Sequence, residues 1–292
     1  MRVLLAGAGG QLGAELQHGA PSGVELLACD RQALDITDPG AVQCRVAAFA
    51  PDVVINAAAY TRVDDAEADA EAAFAVNAQG ARHLAAAAAS VDARCILVST
   101  DFVFEGSRGR PYGAADRPAP RSVYGQSKLA GEQAVAQVCG QRGLVVRTSW
   151  LYSARGENFV QAMLRLMRAR PELGVVADQV GSPTWAAGLA RAVWEAAMRP
   201  ALSGYLHWSD AGVASWYDFA VAIQDLALAQ GLLQEPIPIK PLTTAEFPRP
   251  APRPSFSVLD NSRSQALLET PRCHWRTALG KMLEQLQEPA HA

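Results

Sequence analysis

Tyr124 and Lys128 stand four residues apart in Ser122-Val123-Tyr124-Gly125-Gln126-Ser127-Lys128, and Ser99-Thr100-Asp101 closes the apolar run 95–98 upstream. On a helix, positions i and i+4 lie one above the other, which predicts an ammonium within a few ångströms of a phenol. A free phenol titrates near ~10, and a cation about 4 Å away at an effective dielectric of ~20 is worth roughly 4 kcal/mol, or about three pKa units. The expected result is a tyrosine tuned toward neutrality. It would protonate a carbonyl oxygen as hydride reaches the carbon, while Thr100 donates a second hydrogen bond to the same oxygen. Tyrosine and lysine at this spacing are also common on solvated helix faces, so the meaning of the pair depends on what surrounds it.

The surroundings begin at the N-terminus, where Val3-Leu4-Leu5-Ala6 runs into Gly7-Ala8-Gly9-Gly10-Gln11-Leu12-Gly13. Leu12 breaks a GxGxxG pattern, but Gly7, Gly10 and Gly13 fit GxxGxxG. Glycines so placed permit a tight turn, let backbone N–H groups approach a pyrophosphate, and allow the following helix to pack on the strand. A second apolar run, 24–29, ends in Asp30-Arg31, near the offset of about 20 residues where an acid can accept the ribose hydroxyls of a dinucleotide. Asp30 suits the free ribose of NADH, and Arg31 the 2′-phosphate of NADPH. Asp35-Ile36 follows in a turn that could lie against the adenine, ahead of the helix-start signal Thr37-Asp38-Pro39. The third run, Val53-Val54-Ile55, leads into Asn56-Ala57-Ala58-Ala59-Tyr60-Thr61, whose small side chains would let a nicotinamide or ribose approach the backbone. Asn77 is expected to pin a neighbouring loop.

Positioning these groups calls for strands near 2–6, 24–29, 53–55, 94–98 and 144–147 alternating with helices. That is the pattern of a parallel sheet covered on both faces. Beyond Trp150 the alternation loosens. Helices are expected around 157–169, 185–198, 215–229 and 275–286, with Trp208 and Trp216 in the core of a smaller lobe. The 292 residues, half of them apolar, allow one large core or a core with a smaller lobe. A net charge of −3 gives no electrostatic reason to expect nucleic acid or an anionic membrane as a partner. Five scattered cysteines without CxxC spacing read as reduced residues of a cytoplasmic protein, and His83, His207 and His274 are too dispersed for a metal site. No targeting segment or run of membrane-spanning length is visible.

Taken in order, GxxGxxG, NAAAYT, STDFVFEG, YGQSKLAGE and RTSWLY resemble the extended short-chain dehydrogenase/reductase family, and the likeness extends through Asp178-Gln179-Val180-Gly181-Ser182-Pro183-Thr184 to Arg253-Pro254. The resemblance implies a Rossmann-like doubly wound α/β fold with a smaller C-terminal substrate-binding lobe. The NAD(P)-binding domain would span 1–150, joined again by a middle segment near 178–205, and the lobe would occupy mainly 151–292. It implies NADPH or NADH held by Gly7, Gly10, Gln11, Leu12, Gly13, Asp30, Arg31, Asp35, Ile36, Ala59, Tyr60 and Thr61, with Tyr124 and Lys128 also touching the cofactor. Thr100, Tyr124 and Lys128 match the catalytic positions. Thr100, Asp101 and Trp150 match positions that meet a sugar nucleotide, Arg253 would hold its diphosphate, and 178–184 resembles a substrate-side segment. The implied reaction reduces the C4 keto group of a dTDP-sugar, dTDP-4-dehydro-6-deoxy-L-mannose, to give dTDP-L-rhamnose for cell-surface polysaccharide. The alternatives are a nucleotide-sugar epimerase and a catalytically silent cofactor-binding subunit like the regulatory partner of methionine adenosyltransferase. A homodimer, with Mg²⁺ bridged by glutamates of the C-terminal helix, is a further implication.

Overall fold

The computed structural model describes residues 1–287. Six strands form one parallel sheet: β1 (Arg2–Ala6), β2 (Glu25–Cys29), β3 (Val53–Asn56), β4 (Arg94–Thr100), β5 (Gly143–Thr148) and β6 (Gly204–His207). Their spatial order is β6-β5-β4-β3-β1-β2. Successive side chains of a strand point to opposite faces, and here both faces are buried, so the strands read as nearly continuous apolar runs. Val3, Leu5, Ile55 and Val146 face the helices Gln11–His18 and Ala186–Ala197. Leu4, Val54, Leu97 and Val145 face Pro39–Phe49, Ala81–Ser90 and Val123–Cys139. Leu4, Leu5, Ile55 and Ile96 are wholly buried, each worth roughly 1.5–3 kcal/mol of transfer free energy.

The helix starts follow local chemistry. Asp38 accepts from the N–H groups of Gly40 and Ala41 at 2.8 and 3.0 Å, ahead of Pro39 at the first helical position. Ser122 likewise accepts from Gly125 N at 3.1 Å and starts the helix that carries Tyr124 and Lys128. Beyond the sheet, the helices Phe159–Ala169, Trp216–Ala229 and Trp275–Gln285 pack around a second core that includes Met163, Leu164, Phe219, Ile223 and Leu279.

Two features depart from the sequence expectation. The short run Gly204-Tyr205-Leu206-His207 is a sheet strand paired with β5, although its four residues carry almost no periodic signal. This strand brings Trp208 with it, so Trp208 is buried in the sheet core and not in the smaller lobe. Trp216 does pack against the second core. Among the described residues no helix is long and apolar enough to cross a membrane.

Candidate active site

Strands β2 and β3 flank β1, so the winding direction reverses there and opens a crevice at the carboxyl ends of β1 and β3. The glycine turn lines it. Gly7 has φ +86°, and a Cβ on it would lie 2.4 Å from the backbone N of Ala58; one on Gly13 would lie 2.1 Å from the Gly7 carbonyl. No side chain fits at either place. The helix Gln11–His18 starts from Gly10 without a side-chain cap, leaving its first N–H groups free for an anion, which is the donor set a pyrophosphate needs. Gln11 accepts from Asn158 Nδ2 at 3.1 Å and donates to the Glu157 carbonyl at 3.3 Å, while Leu12 is buried in the sheet core and offers the crevice only backbone.

At the end of β2, Asp30 is exposed and its carboxylate accepts the Ala33 N–H at 2.8 Å. The side chain of Arg31 is 86% exposed and reaches toward Asp35 at 3.9 Å, so both residues are free to meet a dinucleotide ribose. The Asp35 carboxylate is taken up by the N–H and hydroxyl of Thr37, which hold it below the usual carboxylate range. Ile36 is buried and its carbonyl meets the His83 ring at 3.0 Å. Across the crevice, Ala59, Tyr60 and Thr61 follow β3 as expected. Asn77 clamps Tyr60 through both its N–H (2.9 Å) and carbonyl (3.1 Å), and gives its other amide hydrogen to Ser127 at 2.9 Å. One amide thus ties the alanine loop to the helix of Tyr124 and Lys128.

That helix lies close against the end of β4. A Cβ on Gly125 would come within 2.3 Å of the Phe102 carbonyl, so a glycine here permits the approach that brings Tyr124 to Thr100. Both Tyr124 and Lys128 are buried. Desolvation pushes the phenol up to about 12, opposed by its hydrogen bond with Thr100 and reinforced by the Asp101 charge. This corrects the expectation of a near-neutral phenol. The Lys128 ammonium is turned onto the Val98 carbonyl at 2.7 Å, and burial brings its own pKa down to about 8 against the pull of Glu132. Tyr124 therefore keeps its proton at neutral pH.

Thr100 accepts from Phe102 N at 3.2 Å and donates to Asp101 Oδ1 at 3.1 Å. Asp101 is buried with its Oδ2 unpaired, and desolvation raises its pKa to about 6. Trp150 lies where β5 ends, at φ +45°, stacked on Trp216 with centroids 3.5 Å apart and above a Gly181 that has room for no side chain. Gly181 belongs to the 178–184 segment, whose Asp178 is held by Thr244. Arg253 pairs with Asp64 at 2.9 Å, and its guanidinium lies over the Phe102 ring. Among the described residues no cluster of His, Cys, Asp or Glu could hold a metal ion; of the C-terminal glutamates, Glu284 is exposed and Glu288 lies outside the described residues.

Several partners were not anticipated from sequence: Asn158 on Gln11, Ser127 on Asn77, and the buried pair of Glu132 with Arg147 at 2.6 Å. Asn158 had a usable signal, an asparagine before an apolar helical run, and it does cap that helix through Gln161 N. The others depend on contacts between distant segments.

A glycine crevice beside a buried tyrosine–lysine pair at the carboxyl edge of a parallel sheet is the architecture of short-chain oxidoreductases. The sequence model of the family described as RmlD substrate binding domain matches residues 1–288, and the chain belongs to that family. It is 45% identical over 289 residues to the dTDP-4-dehydrorhamnose reductase of Mycobacterium tuberculosis (strain CDC 1551 / Oshkosh), covering 97% of this chain and 92% of the relative. The crystal structure of a dTDP-4-dehydrorhamnose reductase from Clostridium acetobutylicum superposes with a TM-score of 0.92 at 41% identity, covering 98% of this chain and all of that one. That of the Bacillus anthracis dTDP-4-dehydrorhamnose reductase, in complex with NADP, gives 0.91 at 37% identity, covering 97% and 99%.

Proposed function

We propose that the chain reduces the C4 keto group of dTDP-4-dehydro-6-deoxy-L-mannose to dTDP-L-rhamnose with NADPH or NADH, in dTDP-rhamnose and cell-surface polysaccharide biosynthesis. The observation that carries this reading is the burial of Tyr124 and Lys128 on one helix against the end of β4, with Thr100 at the phenol, beside the glycine crevice. Relatives named dTDP-4-dehydrorhamnose reductase over nearly the whole chain support it, and the NADP-bound one favours NADPH. When bound, the dihydronicotinamide supplies hydride. Gly7, Gly10, Gln11, Leu12 and Gly13 would hold its pyrophosphate, and Asp30, Arg31, Asp35 and Ile36 its adenosine half. Ala59, Tyr60 and Thr61 would form the nicotinamide floor.

The residues of the chain then handle the charge that develops on the C4 oxygen. Tyr124, protonated throughout the neutral range, gives its proton to that oxygen, and Thr100 turns its hydroxyl from Asp101 to stabilise it. Lys128 orients the nicotinamide ribose, and its positive charge favours the phenolate left behind. Asp101 and Trp150 meet the sugar, and Arg253 meets the diphosphate. The sheet with residues 1–150 and the returning 178–205 segment forms the cofactor domain, and the second core forms the substrate lobe. This reading places the activity in the cytoplasm. A homodimer belongs to the same reading; among the described residues no cluster fits a Mg²⁺ ion, and no step of the reaction uses one.

The test mixes purified protein, dTDP-4-dehydro-6-deoxy-L-mannose and NADPH, follows nicotinamide absorbance and identifies the sugar. Stoichiometric oxidation with dTDP-L-rhamnose as product is expected. Isomerisation without net oxidation would point to an epimerase, and binding without turnover to a silent subunit.

A further inference from the structure

One carboxylate outside the residues assigned above joins the turn after the 56–61 loop to the loop that carries Arg253. Asp64 follows the 56–61 loop by three residues. Its Oδ1 accepts from Arg253 Nη2 at 2.9 Å and from the backbone N–H of Ala251 at 3.2 Å, and its Oδ2 lies 3.4 Å from Arg249 Nε. A single side chain thus grips the 249–253 loop by two guanidinium groups and a backbone donor. The grip is not a surface ornament: the Arg253 side chain is 18% exposed and that of Asp64 22%, against 53% for Arg249.

The loop it holds faces the chemistry. Arg253 lies over the Phe102 ring at 5.8 Å, and Phe102 meets Tyr124 edge-on with centroids 5.7 Å apart. Three residues after Asp64, Glu67 Oε1 accepts the N–H of Val123 at 2.8 Å, and Val123 is the first residue of the helix that carries Tyr124. The same short turn therefore fixes both the arginine loop and the start of the helix that bears the proposed acid.

Arg253 spends Nη2 on Asp64 and one hydrogen of Nη1 on the Ala251 carbonyl at 3.2 Å. A guanidinium has five donors in a rigid fork, so those remaining are already oriented for a second anion. An arginine held in this way gives up less rotamer freedom when that anion arrives. We infer that Asp64 is a positioning residue for the sugar-nucleotide diphosphate, holding Arg253 and its loop at the mouth of the site. The inference rests on one part of the proposed function, Arg253 as the ligand of the sugar-nucleotide diphosphate.

The test is a double-mutant cycle on the full chain: Asp64→Ala, Arg253→Ala and the two together. Titration calorimetry reads dTDP affinity at saturating NADP⁺, and steady-state kinetics reads kcat and KM for the sugar nucleotide. Asp64→Ala should weaken dTDP and raise KM by about tenfold, leave kcat within about threefold, and leave NADPH affinity unchanged. In the Arg253→Ala background the same change should cost less than about twofold, because its target is gone. Asp64→Asn keeps an acceptor for the Ala251 N–H and should fall between; it decides the matter if the alanine variant does not fold. Equal losses in both backgrounds, dTDP binding indifferent to Asp64, or tighter binding without it would overturn the inference. Wild-type protein that binds dTDP with the expected coupling but reduces no sugar would sink the reductase reading and leave Asp64 in its role.

Discussion

Lys128 should be more useful than it is stable, and the conflict can be measured. Its ammonium is buried, with the Val98 carbonyl as its one hydrogen-bond partner among the described residues, and its pKa is drawn from the ordinary 10.5 down to about 8 by desolvation. A lysine depressed on folding carries a penalty that is fully present below the folded pKa. It is relieved as pH rises from about 8 to 10.5, because the native state sheds its proton first. The shift corresponds to about 3 kcal/mol at pH 7, falling below about 1 kcal/mol at pH 10. Lys128→Met fills the space without the charge and loses the hydrogen bond to Val98, which costs about 1–2 kcal/mol. The variant should therefore be about 1–2 kcal/mol more stable than the parent at pH 7 and no more stable at pH 10, as read by urea unfolding at the two pH values. Turnover should collapse and cofactor affinity fall. A variant less stable at pH 7, with a difference that does not change by pH 10, would refute the reasoning.

Tyr124→Phe keeps the edge-on contact with Phe102 and deletes the proposed proton donor, so kcat should fall at least ~100-fold in single-turnover assays with NADPH affinity nearly unchanged. Arg31→Ala should weaken NADPH far more than NADH, and Asp30→Ala the reverse; equal affinities in a fluorescence titration would mean that this strand end faces only solvent. Glu132→Ala strands the buried guanidinium of Arg147 and should cost about 3–5 kcal/mol in urea unfolding, whereas Glu132→Leu with Arg147→Met should recover most of that loss.

Much of the fold was legible because five sheet strands are apolar runs that stop at a glycine, an asparagine, a Ser-Thr-Asp step or a charged residue. The helix start at Asp38 likewise carried its cap in the sequence. The strand at 204–207 was not legible: its four residues owe their place to pairing with β5, a tertiary fact. The candidate catalytic residues could be named from spacing, but their electrostatics could not. The i+4 geometry suggested that Lys128 would acidify Tyr124, whereas the ammonium bonds Val98 and burial dominates both groups. Arg253 was named through the family resemblance; its carboxylate partner, 189 residues earlier, could be found only by folding the chain.

The late strand β6 also bears on how the chain is made. The first five sheet strands are complete by Thr148, but the sixth and the helix Ala186–Ala197 that covers the sheet beside it are encoded after the segment that begins the second core. At ribosomal rates of about 5–20 residues per second, the free edge of β5 and the apolar side chains of Leu144 and Val146 wait several seconds for their cover. During that interval the nascent sheet offers an unpaired strand edge, the kind of surface that recruits chaperones or a neighbouring chain. A fragment ended at Trp150 would never lose that edge, and should be recovered as aggregate, not as a separable nucleotide-binding module.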